Sequence, residues 1–345
     1  MRCISRALLG TLLVLCLIAL AGAAYQSIGT WRDVRRAPEP GKFVDVGGYR
    51  LKINCTGTGS PTVILESGLG DVMPEWEAVQ TGIARFTRVC SYDRAGYGSS
   101  DAGPMPRTSA QIATELHSLL QRSGERAPYV LVGHSFGGYN VRVFTGKYPK
   151  EVAGLVLVDS PQEDEYEMLP SAWQEFSAAL LERYRHQAKT APLFVGLGIA
   201  RLRLWSEGGL GKYDYLILQP KYLKTRSSEL ENIRASAEQA RSAGGIADKP
   251  LIVLTSGKTL AATAIPGLDE QGAAQFQRTW VEVLQPRLAS LSRLGKQLVL
   301  READHNVPAE VPDAIVGAAH ELCAAAPPPV SFDSHAKKYT ESAGQ

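Results

Sequence analysis

Short runs of consecutive apolar residues recur along the chain, separated by segments in which apolar residues return every three or four positions. The runs cover 62–66, 88–91, 129–132, 154–159, 250–255 and 296–300. Unbroken Val/Ile/Leu stretches of this length predict strands buried on both faces. Their alternation with helical segments predicts an α/β fold, a mostly parallel twisted sheet flanked by helices. Two more strands are expected ahead of these, 43–46 and 49–54, joined through Gly47-Gly48 as a hairpin.

The rhythm breaks between Ser160 and Lys249, where no convincing strand occurs and helix formers dominate 173–189 and 227–241. A compact domain does not carry a structureless loop of that length, so the interval is read as an inserted helical cap. Its Trp173, Phe176, Tyr184, Trp205, Tyr213 and Tyr215 either line a pocket or form the cap's own core. The acidic cluster Glu163, Asp164, Glu165 and Glu167 is a solvated helix start favoured by the helix dipole, or a place for a substrate amine. The expected organisation is a leader (1–24), a linker (25–41), a core in two parts (42–160 and 250–323), a cap (161–249) and a tail (324–345). Arg32, Arg35, Arg36 and the Pro38-Glu39-Pro40-Gly41 breaker mark the linker, and the tail opens on Pro327-Pro328-Pro329. Its polar composition predicts disorder.

The leader carries Arg2 and Arg6 ahead of an uninterrupted apolar stretch from Ala7 to Ala24, with Ala21-Gly22-Ala23 as a small-residue cleavage site. The pattern fits a signal peptide, and the stretch is also long enough for an uncleaved membrane anchor. Either way the rest of the chain is exported, to the periplasm or beyond, or tethered outside the cytoplasm. The charge adds a second exclusion: 37 Lys+Arg against 35 Asp+Glu give a net +2 with no basic stripe, so nucleic acid is not an expected partner. Export also gives the cysteines meaning. Cys55 and Cys90 each lie in a strand-like run, and if the strands are neighbours a disulfide forms between them. Two buried free thiols are the alternative. Cys323, near the end of the last helix, is expected to pack.

The strongest chemical signal is Gly133-His134-Ser135-Phe136-Gly137, placed between the run 129–132 and a segment of helical periodicity. A strand turning sharply into a helix strains its turn residue, and small neighbours at two positions to either side make room. Ser135 is thereby raised above the sheet edge, and the Phe136 N–H stands at a helix N-terminus, aimed at a developing anion. A serine hydroxyl needs a base. His305 follows the last strand and precedes a helix (312–323), whereas His117, His186 and His320 fall in helical stretches and His335 in the tail. His134 is locked beside the serine. His305 is therefore the expected base.

Three segments carry a family resemblance: Glu66-Ser67-Gly68-Leu69-Gly70, Ser91-Tyr92-Asp93-Arg94-Ala95-Gly96-Tyr97-Gly98, and Gly133 to Gly138. Through them the chain resembles the α/β-hydrolase superfamily, in its capped esterase/lipase-like branch. The resemblance covers 43–160 and resumes more loosely over 250–323. It implies a triad acid in a Gly-x-x-Asp turn after the cap, but here that turn reads Gly257-Lys258-Thr259-Leu260, without a carboxylate. Some members carry the acid before the cap instead, which points to Asp159 and keeps the order Ser…Asp…His. Asp269 is the reserve, and Asp304 sits too close in sequence to reach its neighbour's Nδ1. The resemblance also implies a second oxyanion donor in the loop after the third strand, the Leu69 N–H, although the usual His-Gly is replaced by Ser67-Gly68. Asp71 and Trp76 lie nearby, the latter expected to pack, and Asp93 to Ser99 is implied to be a structural turn.

These features predict an exported serine hydrolase cleaving a carboxylic ester or related acyl bond of a small molecule, with no cofactor and no metal site. A serine nucleophile argues against the dehalogenase and epoxide hydrolase chemistry of relatives with aspartate there. An aminopeptidase, a carbon–carbon bond hydrolase, or a non-catalytic membrane-tethered binding protein on the same scaffold are the alternatives. Residues 7–24 are the expected point of any membrane association.

Overall fold

The computed structural model describes residues 2–207, 209–244 and 246–326. The polar tail from 327, with His335, lies outside the described residues. Eight strands form one sheet: β1 (Lys42–Asp45), β2 (Arg50–Thr56), β3 (Thr62–Glu66), β4 (Val89–Tyr92), β5 (Tyr129–His134), β6 (Val152–Val158), β7 (Leu251–Ser256) and β8 (Gly295–Leu300). Their order is β1-β2-β4-β3-β5-β6-β7-β8. The β1–β2 and β2–β4 pairs are antiparallel and the rest parallel. All the expected strands are present. No boundary shifts by more than two residues.

Thirteen helices accompany the sheet among the described residues. Those before the cap are α1 (Arg2–Arg36), α2 (Glu77–Ile83), α3 (Ser109–Ser123) and α4 (Gly137–Lys147). The cap contains α5 (Glu165–Met168), α6 (Ser171–Gly196), α7 (Ile199–Ser206), α8 (Pro220–Glu231) and α9 (Ile233–Ser242). After it come α10 (Glu270–Arg278), α11 (Gln285–Ala289), α12 (Val307–Glu310) and α13 (Pro312–Ala325). A π-helical turn, Thr279–Leu284, joins α10 to α11. Residues 25–36, read as linker, continue α1 instead. Nothing in them breaks a helix, and the Pro38–Gly41 breaker acts only after Arg36.

The strands show why continuous apolar runs were needed. In β5, Tyr129 and Leu131 enter a core with Leu116 and Leu119 of α3 and Phe144 of α4. Val130 and Val132 point the other way, toward Ile83 of α2 and Ile315 and Leu322 of α13. The same alternation runs through β3, β6 and β7, so each strand fills two cores at a period of two. Parallel pairing also sends the carboxyl ends of β3, β5, β6, β7 and β8 to one sheet edge, where ligand crevices form in open α/β sheets.

Cys55 and Cys90 are opposed across the antiparallel β2–β4 pair, with Cα atoms 4.1 Å apart, and are joined in a disulfide. Of the two readings of these cysteines, the bridge is the one the structure holds. It spans 35 residues, a loop whose closure stabilises by about 2–4 kcal/mol. The intact chain has five cysteines. Thiol titration of denatured, unreduced full-length protein is therefore expected to find Cys3, Cys16 and Cys323 only. Five titratable thiols would contradict the bridge.

Candidate active site

Ser135 occupies the turn from β5 into α4 with a φ of +50°, in the left-handed region that L residues seldom adopt. Its N–H donates to the Val158 carbonyl of β6 (2.9 Å) and its carbonyl accepts from Gly138 N–H (2.8 Å), so the strained turn is fastened at both ends. At Gly137 a Cβ would stand 2.5 Å from the Glu66 carbonyl oxygen. Only glycine lets α4 start this close to β3.

Ser135 Oγ lies 2.9 Å from His305 Nε2, and His305 Nδ1 lies 2.7 Å from Asp159 Oδ2. Asp159 follows β6 directly, is 2% exposed and has a φ of +42°. Its second oxygen accepts from Ser256 N–H (2.9 Å) and from Trp280 Nε1–H (2.8 Å). Burial pushes this carboxyl up, but the His305 ring and the two donors outweigh it and hold the pKa below its ordinary value. His305 is shifted the other way. Withdrawal from water disfavours its charged form, yet the Asp159 carboxylate more than compensates and raises the ring above its usual 6.5. The Asp159 carboxylate thus stabilises the charged form of the ring that arises when it takes a proton.

The loop after β3 packs against this group: a Cβ at Gly68 would be 3.2 Å from Ser135 Cβ. Neither Leu69 N–H nor Phe136 N–H has an acceptor among the described residues. Two unspent backbone donors therefore stand beside the serine. The other acids considered from sequence are committed elsewhere. Asp269 caps α10 through Gly272 N–H (2.7 Å), and Asp304 accepts from Asn306 N–H (2.9 Å). The turn 257–260, lacking its carboxylate, serves the histidine loop instead: Gly257 and Lys258 N–H groups donate to the Leu300 and Ala303 carbonyls.

A family model described as alpha/beta hydrolase fold matches residues 61–196. The superposable structures include a putative acyltransferase from Salmonella enterica, with a TM-score of 0.62 at 16% identity, covering 83% of this chain and 95% of that one. A thermophilic esterase from Thermogutta terrifontis gives 0.56 at 22% identity, over 82% and 97%. The chain has the α/β-hydrolase fold. Among curated relatives, a probable transporter from Hormonema carpetanum is 30% identical over 142 residues, 39% of this chain and 20% of that protein. The chain spans less than half the length of the curated relatives it matches.

Within this α/β-hydrolase fold, the Asp93–Ser99 turn does more than its structural appearance suggested. Arg94, fully buried, donates to Ser67 O (2.6 Å), Gly68 O (2.7 Å) and Glu66 Oε1 (3.0 Å), and its fork meets both oxygens of Glu229 on α8 (2.9 and 3.0 Å). The Gly68 carbonyl belongs to the same peptide unit as Leu69 N–H. Because a trans peptide points its two polar groups in opposite directions, gripping the oxygen aims the hydrogen. Tyr222 of α8 holds the next carbonyl but one, Gly70 O, at 2.9 Å. The loop after β3, where Ser67-Gly68 stands in place of the expected His-Gly, is thus shaped from the cap.

His134, dismissed in sequence as merely locked, is a second tie. Its Nε2–H donates to the His305 carbonyl (2.9 Å) and its Nδ1 meets Asp71 Oδ2 (3.2 Å), which also accepts from Gly68 N–H (3.1 Å). One ring therefore links the histidine loop to the loop after β3. Trp76 packs nearby, as expected, with its Nε1–H on Ser67 Oγ (2.8 Å).

The cap aromatics turn out to be joints and core. Trp173 and Phe176 meet in a tilted contact, and Trp173 also meets Phe276 edge-on; Tyr213 and Tyr215 pack around Tyr97 and Tyr222; Tyr184 lies on Arg226; Trp205 is exposed. Two cavities, of about 180 and 770 Å³, are lined by neither Ser135 nor His305, and of these aromatics only Tyr213 borders one. In the acidic cluster, Glu163 pairs with buried Arg142 (2.6 Å) and Asp164 with Arg241 (2.7 Å). Glu165 is different. Its carboxyl bonds to nothing among the described residues, and burial, aided by nearby Asp159, pushes it up to about 8.

The Arg94 grip has a direct test. Lysine keeps the charge but lacks the planar fork that reaches the carbonyls and Glu229 together. Arg94→Lys is expected to slow phosphonylation of Ser135 by a fluorophosphonate by tenfold or more, given that losing one oxyanion donor costs on the order of 10²–10³. An unchanged rate in a folded variant would mean the loop shapes itself.

Proposed function

We propose that the protein is a serine hydrolase that cleaves a carboxylic ester or a related acyl bond of a small molecule, outside the cytoplasm. The observation that carries this reading is the unbroken chain of hydrogen bonds from Ser135 through His305 to Asp159. His305 Nε2 takes the Ser135 proton as Oγ attacks the carbonyl carbon, and Asp159 supports the imidazolium that forms. Leu69 and Phe136 N–H groups hold the oxyanion of the tetrahedral intermediate. The imidazolium then protonates the departing alcohol, leaving an acyl group on Ser135. Water, deprotonated by the same nitrogen, attacks the acyl carbon; the bond to Oγ breaks, the imidazolium returns its proton to Ser135, and the acid leaves. The N-terminal helix α1, long and apolar enough to cross a membrane, supports export or tethering.

Esters of graded acyl length, with and without an α-amino group, test both the activity and its range. Ser135→Ala is expected to abolish turnover. Asp159→Asn keeps the shape but turns an NH₂ toward His305 Nδ1, favouring the tautomer whose Nε2 carries a hydrogen and cannot accept one; a loss on the order of 10⁴ in kcat is expected. Full activity in either variant would refute the assignment. If Glu165 holds a substrate amine, only the α-amino esters will lose rate in Glu165→Gln.

The pH profile follows from the histidine. Activity requires neutral His305, whose pKa lies above the usual 6.5. In the free enzyme, kcat/KM should therefore fall as pH drops through that raised value. An acid limb lying below 6.5 would contradict the paired geometry.

A further inference from the structure

We propose that α7 and the end of α6 form a lipid-contacting face that, together with α1, seats the cap on a membrane bilayer. The inference rests on α1 being retained in the working protein, and not on the chemistry at Ser135.

Two observations point there. The first is how α7 is attached. Arg201, 2% exposed on an otherwise exposed helix, spends its guanidinium on α1: Nε on Gln26 Oε1 (3.1 Å), and its two terminal nitrogens on Asp33 Oδ2 (2.5 Å) and Thr30 Oγ1 (3.1 Å). Gly22 of α1 lies against the Leu197 carbonyl, and Tyr25 against Gly198. A buried charge with three partners on one helix fixes that helix in place. The contacts advance from 22 to 33 along α1 as they advance from 197 to 201 along the cap. Leu197 and Gly198 therefore set the end of α6 and the start of α7 against Gly22, near the end of the apolar stretch 7–24.

The second is what this attachment leaves uncovered. Leu193, Phe194, Ile199, Leu202 and Trp205 are 42–64% exposed within thirteen residues of sequence. On α1, Tyr25, Ile28, Trp31 and Val34 are 43–54% exposed at a spacing of three. Further along the same helix, nine large side chains between Leu8 and Leu20 are each more than half exposed, a surface water does not tolerate. Exposed Tyr and Trp beside a spanning segment match the composition of the bilayer interface. Lipid is the one occupant that covers all three parts at once.

The test uses the full chain in phosphatidylethanolamine/phosphatidylglycerol vesicles. Leu202→Cys is labelled with a polarity-sensitive fluorophore in a Cys3→Ser, Cys16→Ser, Cys323→Ser background, with Leu294→Cys, 58% exposed near the far end of the sheet, as the reference. The Leu202 probe is expected to be quenched severalfold more by spin-labelled lipid than the Leu294 probe, and to resist iodide. Equal quenching at the two sites would overturn the proposal. Protection from iodide without lipid quenching would also overturn it, in favour of a second copy of the chain. An N-terminal mass beginning after Ala24 would remove its premise. Ester hydrolysis is not a readout, so failure of the hydrolase reading would leave this result standing.

Discussion

A guanidinium buried out of reach of water must have every donor answered, and Arg94 answers its own by tying three parts of the molecule together. Glu66 belongs to the end of β3, Ser67 and Gly68 to the loop beside the serine, and Glu229 to the cap. Tyr97 also donates to Glu229 (2.7 Å), closing the network. Removing one partner from such a group leaves an uncompensated buried charge, at about 3–5 kcal/mol. Cap docking and the direction of the Leu69 amide are therefore one problem, solved once. Through Glu229 and Tyr222, α8 of the cap helps set the backbone beside Ser135.

The same economy appears around the histidine. His305 is reached from three sides: Asp159 orients its ring, His134 holds its carbonyl, and the 257–258 amides hold the residues just before it. The empty acid turn is not a vacancy in the design, because its backbone has been reassigned to the histidine loop. Asp159 in turn is satisfied by Ser256 and by Trp280, the latter delivered by a π-helical turn that rotates one side chain out of helical register.

Much of the fold was legible because burial on both faces forces an unbroken apolar run, a pattern few other structures share. Ser135 came from its glycine-flanked turn, His305 from its place after the last strand, and Asp159 only through the family resemblance. What stayed hidden was partnership at long range. Arg94 looks like part of a turn because its decisive partner, Glu229, is 135 residues away in the cap, the segment with the least periodic sequence. Trp280 carries no local signal, since a π-turn has no composition of its own. The extent of α1 was misjudged because a breaker at Pro38 says where a helix must have ended, not how far back it began. The cap aromatics were ambiguous in sequence, and in the structure they pack on one another or on the core, while Trp205 is exposed.

The account stands or falls on Ser135 being the atom that receives the acyl or phosphonyl group. Peptide mapping after exposure of the intact protein to a fluorophosphonate at neutral pH measures this directly. The account predicts one adduct per chain, on the peptide containing Ser135, absent when Asp159 or His305 is replaced. No adduct on folded protein, or an adduct on another residue that survives Ser135→Ala, would contradict it.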